Sequence, residues 1–274
     1  MRVHVKFNCY AILLKRAFGV SVVVTVGLLL SCFAPKAGAQ VSSQPSPGKV
    51  SATTPAMQPP VMDNGIFHHL LLDQFEGRTS GADNEFRWDG EAWIGTDMNR
   101  LWIKSEGFLS DSQVSDGDQE ALYDRPIPRM KYFDAQAGVR SDLDSDPSRT
   151  WAALGVEGLA PYFFEIAPTL YISDGGHVAG RITGFYDVLF TQRLIAEPEA
   201  ELNFYSKDDP KRKIGSGFSD IDTGLRLRYE ISRKFAPYVG FAYSGKYGNS
   251  ASYSRRAGES TNDPRFVFGV RLWY

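Results

Sequence analysis

The feature that most constrains this chain is an alternation of apolar and polar side chains with a period of two residues, from about residue 82 onward. In the stretch 224–231, apolar Leu225 and Leu227 alternate with charged Arg226 and Arg228. The same alternation recurs in 86–94, 133–140 and 194–204. Successive side chains of a β-strand point to opposite faces, so this period predicts strands rather than helices. We expect an all-β fold.

The final segment has the same alternation and ends on an aromatic residue. Its apolar positions are Phe266, Phe268, Val270, Leu272 and Tyr274. Such an ending resembles the terminal strand signal that barrel-assembly machinery recognises in outer-membrane proteins. Alternating strands also suit a soluble antiparallel sandwich with one wet face, which is the alternative fold.

The connections between the strands favour a barrel. Brief turn signals fall near 96–99, 126–129, 160–162, 190–192 and 232–235. Longer polar stretches fall near 77–84, 110–118, 141–148, 173–177, 206–218 and 247–263. Outer-membrane barrels have short periplasmic turns and longer external loops, and the two kinds alternate here. We therefore predict a single transmembrane, antiparallel, up-and-down β-barrel of about 12 strands, with both ends in the periplasm.

Composition agrees with this fold, because a barrel averages an apolar and a polar stripe. The 274 residues are 43% hydrophobic and 23% charged, which excludes both a disordered chain and a polytopic helical membrane protein. The 30 Lys and Arg residues nearly balance the 32 Asp and Glu residues, so no nucleic-acid partner is expected.

The first 39 residues predict a cleaved signal peptide. A basic start, an apolar run over 17–33 and the small-residue site Ala37-Gly38-Ala39 are typical of export. An uncleaved anchor, or lipoprotein processing at Cys32, are the alternatives. Both cysteines leave with the signal, so the mature chain has no disulfide or thiolate metal site. Its 25 basic and 32 acidic residues give a mature net charge of −7.

Two further segments follow the signal. Residues 40–65 contain five prolines among Ser, Thr, Gln and Gly, and we expect a flexible tether on the periplasmic side. Residues 66–274 form the predicted barrel. Its first strand is the least certain, because the stretch 66–75 alternates poorly and its apolar residues could equally line a short helix.

Many charged residues of both signs are predicted to face the lumen. They are Arg87, Asp89, Glu91, Lys104, Glu106, Arg140, Arg181, Asp187, Glu197, Glu199, Glu201, Arg226, Arg228 and Arg271. Charged side chains in a narrow lumen must either form ion pairs or be hydrated. They either form a salt-bridged plug or line a polar route for small ions, and the two can coexist.

Catalytic motifs are missing from the sequence. It contains no Gly-x-Ser-x-Gly, no His-Glu-x-x-His and no Gly-rich phosphate loop. We therefore expect no catalytic residues and no enzymatic activity. A hydrolase assembled in space around His177 is the remaining enzymatic alternative.

Four residues are candidate metal ligands. Met62, His68 and His69 cluster where the tether meets the barrel, and His177 lies beside Asp174 in a short connection. Thioethers suit Cu(I), and imidazoles suit Cu(II) and other late transition metals. Adjacent histidines on a strand point opposite ways, however, so His68 and His69 cannot both hold one ion.

Long blocks of the sequence resemble the copper resistance protein B family. The blocks are 62–78, 86–97, 99–107, 149–164, 173–177, 219–222, 224–238 and 265–274. They are distributed over 62–274, so the likeness extends over nearly the whole predicted barrel. The resemblance implies an outer-membrane protein of Gram-negative copper-resistance systems, handling copper ions beside a periplasmic multicopper oxidase.

One departure from the family concerns the N-terminus. Family members often have a Met- and His-rich segment there, whereas residues 40–61 contain only Met57 and no histidine. Our hypothesis is an outer-membrane copper-binding protein that sequesters copper ions or passes them across the membrane. The alternative is a structural or small-solute channel with a salt-bridged lumen and no copper function.

Overall fold

The computed structural model describes residues 65–81, 84–110, 113–143 and 148–274. The predicted signal peptide and tether, with Met57 and Met62, lie outside these residues, and only Gly65 of the tether is inside. Among the described residues, no helix has both the length and the apolar character that crossing a membrane requires.

Nearly all of the described chain is β-strand. The first seven strands are β1 (Phe67–Thr79), β2 (Asn84–Gly95), β3 (Arg100–Ser110), β4 (Gln113–Pro126), β5 (Phe133–Asp142), β6 (Thr150–Ala160) and β7 (Phe164–Ser173). The others are β8 (His177–Phe185), β9 (Val188–Leu189), β10 (Leu194–Tyr205), β11 (Gly217–Tyr229), β12 (Phe235–Lys246) and β13 (Asn262–Trp273). One α-helix, α1 (Gly248–Arg256), lies between β12 and β13. The two-residue β9 continues the wall after β8, which leaves twelve long strands.

The strands pair antiparallel in chain order and the sheet closes on itself. Strand β1 pairs with β2 on one side and with β13 on the other. The seam is completed by two backbone hydrogen bonds, Leu70 N–H to Tyr274 O at 2.9 Å and Tyr274 N–H to Leu70 O at 2.8 Å. A closed barrel leaves no unpaired edge, as an apolar bilayer requires. The predicted twelve-strand up-and-down barrel is confirmed.

Burial is the reverse of that in a soluble protein. The outward-facing Leu225 and Phe268 are 52% and 54% exposed, whereas the inward-facing Arg226 is 3% exposed. The apolar stripe of β13 faces outward as predicted. An apolar outer wall around a polar interior is the arrangement that a lipid bilayer stabilises.

The first strand is a strand, and a bulge explains its irregular pattern. The β1–β2 register shifts between Leu72 and Gln74, which inserts Asp73 as an extra residue. Leu70 therefore faces outward on one side of the bulge, and Phe75 faces outward on the other, an odd number of positions later. A bulge reverses the phase of the alternation, and this is why the sequence resembled a helix.

Two predicted loops are wrong. Strand β1 continues to Thr79, and β4 already begins at Gln113, so much of 77–84 and 110–118 is paired strand. Turn-forming residues of β4 are accommodated by a bulge, with Asp116 at φ 45° and a register shift between Glu106 and Phe108. Long and short connections consequently do not alternate strictly. The longest connections, 206–216 and 247–261, do lie at the predicted external end.

These two external segments are fastened to each other. The Ser216 N–H donates to Asp208 Oδ1 at 2.6 Å, and Asn249 Nδ2 donates to both Asp208 carboxylate oxygens at 3.1 and 3.2 Å. These donors hold the pKa of Asp208 below its usual range, with the Ser216 backbone N–H as the largest cause. The external opening is thus partly covered by ordered chain.

The outward face predicts a depth-dependent cost for added charge. We expect Leu225→Arg, in the middle of β11, to reduce the free energy of unfolding by about 2–4 kcal/mol. Tyr229→Arg, at the periplasmic end of the same strand, should cost about 0–1 kcal/mol. Urea unfolding in lipid vesicles measures both values. Equal costs at the two positions would contradict the proposed placement in the bilayer.

Candidate functional site: the charged lumen and its periplasmic mouth

Strand alternation delivers charged side chains to the lumen from nearly every strand. The centre of this group is Arg226, which is 3% exposed. Its guanidinium donates to Glu76 Oε2 at 2.9 Å, to Glu199 Oε2 at 2.5 Å and to Gln74 Oε1 at 2.9 Å. Glu76 and Gln74 are fully buried, so Arg226 supplies contacts that water cannot provide there.

From β1 the ion pairs continue across the barrel as one connected network. Arg78 contacts Asp222 at 2.9 Å, and Asp222 also contacts Arg87 at 3.3 Å. Arg87 lies 3.6 Å from Glu106, which in turn pairs with Arg181. We call this set the luminal ion network; its members are Glu76, Arg78, Arg87, Glu106, Asp118, Arg140, Asp142, Arg181, Glu199, Glu201, Asp222 and Arg226.

Several contacts cross the lumen between strands that are not neighbours in the sheet. Arg181 of β8 reaches Asp118 of β4 at 3.0 Å, and the Tyr171 hydroxyl of β7 donates to Glu120 of β4 at 2.6 Å. Beside them lies a buried apolar cluster that includes Trp102, Leu122 and Trp151. These side chains extend across the lumen, and the predicted salt-bridged plug agrees with this arrangement.

The predicted inward residues all point inward. Those that sequence reasoning missed lie next to bulges or in the wrongly predicted loops: Gln74, Glu76, Arg78, Asp118 and Glu120. Glu157 and Asp222 fit the alternation of their strands and could have been found by extending it.

The periplasmic mouth of the lumen has more carboxylates than cations. Asp73 pairs with Arg271 at 2.5 Å, Lys104 pairs with Glu157 at 2.5 Å, and Arg228 pairs with Asp187 at 2.9 Å. We call the carboxylates here the periplasmic acidic cluster; they are Asp73, Glu91, Glu157, Glu165, Asp187 and Glu197. Among the described residues, the ion pairs of these six are made with Lys104, Arg228 and Arg271, so carboxyl groups outnumber cations within the cluster.

The candidate metal ligands are divided between the two ends of the barrel. His69 faces the lumen at the periplasmic mouth, with its ring centroid 6.2 Å from that of Trp93 and 5.9 Å from that of Trp273. His68 faces outward, 6.4 Å from the ring of Tyr274. His177 begins β8 at the external end, so the structure does not bring it near His68 and His69. Met62 lies outside the described residues.

No preformed metal site is evident in the described residues. Within 65–81, 84–110, 113–143 and 148–274, no three His, Cys, Asp or Glu side chains are grouped closely enough to hold one ion. The opposite orientations of His68 and His69 agree with the expectation that the two cannot share an ion. Metal binding by the four candidate residues therefore stays a prediction.

Comparison with known proteins assigns the family. A family model described as "Copper resistance protein B precursor (CopB)" matches residues 66–274. The chain belongs to the copper resistance protein B family. It is 42% identical over 214 residues to Copper resistance protein B of Escherichia coli, covering 78% of this chain and 72% of that protein. Membership indicates a role in copper resistance, and the closed, apolar-walled barrel places the protein in the outer membrane.

A second relative and two solved structures are also similar. The Copper resistance protein B homolog of Pseudomonas syringae pv. tomato (strain ATCC BAA-871 / DC3000) is 38% identical over 214 residues, covering 78% of this chain and 72% of that one. The NanC porin has a TM-score of 0.49 at 12% identity, covering 74% of this chain and 98% of that chain. The KdgM porin has a TM-score of 0.44 at 13% identity over the same shares. The fold itself follows from the strand pairing alone.

The luminal ion network predicts that the stability of the barrel depends strongly on Arg226. We expect Arg226→Met to reduce the free energy of unfolding by about 3–5 kcal/mol, because Glu76 and Glu199 lose their buried partner. Urea unfolding in vesicles measures the change. The double variant Arg226→Met/Glu76→Gln should recover part of the lost stability, since it removes one of the carboxylates left without a partner. A single-variant cost below about 1 kcal/mol would show that water, rather than Arg226, satisfies these carboxylates.

Proposed function

We propose that the protein serves copper resistance by binding copper ions at the periplasmic mouth of a closed barrel, without catalytic turnover. His69 is the proposed imidazole ligand. The periplasmic acidic cluster raises the local concentration of cations and offers carboxylate oxygens at the same mouth of the lumen. Imidazole and carboxylate ligands both suit Cu(II).

The observation that carries this proposal is the luminal ion network. Its contacts cross the lumen between non-neighbouring strands, so an ion entering from the periplasm meets paired guanidinium and carboxylate groups. Free diffusion through such a barrier is unfavourable, because each passing charge must displace an existing ion pair. This supports sequestration on the periplasmic side more than flow across the membrane.

The hydrolase alternative would be built around His177 and a neighbouring serine. His177 lies at the external end, and the Ser173 hydroxyl beside it donates to Thr150 O at 2.6 Å and to Asp174 Oδ1 at 3.1 Å. Ser173 is therefore oriented by partners other than His177, which gives the hydrolase alternative no support.

A periplasmic multicopper oxidase as partner, and Met62 as a further ligand, stay predictions from the sequence.

Copper titration of the purified mature protein tests the proposal. We expect His69→Ala to weaken the binding of copper by about tenfold or more, by analogy with the cost of disturbing a metal's ligand shell. His68→Ala and His177→Ala are the matched controls, because one removes the outward-facing neighbour and the other removes the imidazole at the far end. Both should bind like the unaltered protein, in titrations with Cu(I) and with Cu(II).

Two outcomes would contradict this function. If the unaltered protein binds neither oxidation state more tightly than the triple variant Met62→Ala/His68→Ala/His69→Ala, the periplasmic mouth is not a copper site. If instead His177→Ala alone abolishes binding, the copper site lies at the external end.

A further inference from the structure

One arginine of the described strands faces outward from the barrel rather than into the lumen. Strand alternation directs the formally charged side chains of the described strands inward, apart from the bulge residue Asp116 and one outward-facing arginine, Arg125. Its strand neighbours identify its side, since Asp124 faces the lumen and is 1% exposed, while Tyr123 faces outward and is 48% exposed. Arg125 is exposed, and it lies next to the end of β4 at Pro126, at the periplasmic edge of the wall.

This arginine has no ionic partner within the described part of the chain. Neither do Arg129 and Lys131, which lie in the periplasmic turn that directly follows β4 and are also exposed. The turn itself, 127–132, contains no acidic residue. Three cations therefore lie close together in the chain where the bilayer surface begins, and no residue in the described ranges forms an ion pair with them.

An apolar groove runs over the same part of the outer wall. It has a volume of about 860 Å³ and extends from Arg125 across β5, β6, β7 and β8 to Phe204 of β10. Small outward-facing residues, Ala135, Ala137 and Gly180, form its floor, and larger apolar side chains such as Leu154 flank it. The shape suits a flexible hydrocarbon chain better than a planar or polar molecule.

We propose that this groove is a binding site for one glycerophospholipid of the periplasmic leaflet. Arg125 holds the lipid phosphate, Arg129 and Lys131 add positive charge beside it, and an acyl chain occupies the groove. Guanidinium groups pair with phosphate oxygens through two parallel N–H donors, which gives Arg125 the geometry that such a headgroup needs. Neither the copper proposal nor the luminal ion network is required for this site.

Native mass spectrometry of the full chain in detergent, titrated with palmitoyl-oleoyl phosphatidylglycerol, tests the site. We expect Arg125→Gln to weaken retention of the first bound lipid by about tenfold, the usual scale for losing a hydrogen bond to a charged group. Arg125→Lys should retain lipid more weakly than the unaltered protein but more strongly than Arg125→Gln. Its ammonium keeps the positive charge but offers no bidentate contact. Ala137→Phe should also weaken retention, since its ring would fill the groove floor while leaving the headgroup contact intact.

The matched control is Arg233→Gln, which removes an exposed arginine from the periplasmic turn between β11 and β12, away from the groove. It should retain lipid like the unaltered protein. Equal retention by Arg125→Gln and Arg233→Gln would overturn the proposal. It would equally be overturned if the unaltered chain formed a dimer that Arg125→Gln dissociates, because the groove would then face a second copy.

Discussion

The pairing of charge inside the barrel is the interaction on which the rest of the structure depends. Closing twelve strands around a narrow lumen forces polar side chains into a space with little water, and there each ion must find a partner. Arg226 of β11 satisfies Gln74 and Glu76 of β1 and Glu199 of β10 at once, so these contacts link three strands. The network therefore links strands across the lumen and places paired charges in the path between them.

Much of this arrangement follows from the sequence, because a two-residue period is enough to orient most side chains. The inward direction of Arg226 and Arg228, and the outward direction of Leu225 and Leu227, needed no further information. The pattern fails at bulges, where an extra residue such as Asp73 reverses the phase. Glu76, a principal partner of Arg226, was hidden in this way. Partners across the lumen also depend on barrel geometry, which local sequence does not encode.

The functional residues were less predictable than the fold. Family membership assigns copper resistance, but the imidazoles that the sequence offered are separated by the barrel, and only His69 faces the lumen at the acidic mouth. Arg125, by contrast, was not among the functional residues that the sequence indicated. Its outward direction can be derived from its strand, yet its importance becomes clear only from the closed wall, where no carboxylate of the described residues pairs with it.

We infer that the luminal ion network closes the barrel to ions, and single-channel recording in planar bilayers tests this closure. We expect the full chain, inserted at neutral pH, to show no stable conductance steps. Arg226→Met, which breaks the network at its centre, should open brief and irregular steps because water enters the unpaired region. Large, stable, ohmic steps from the unaltered protein would show a continuous aqueous path through the lumen, and the ion network would then not close the barrel.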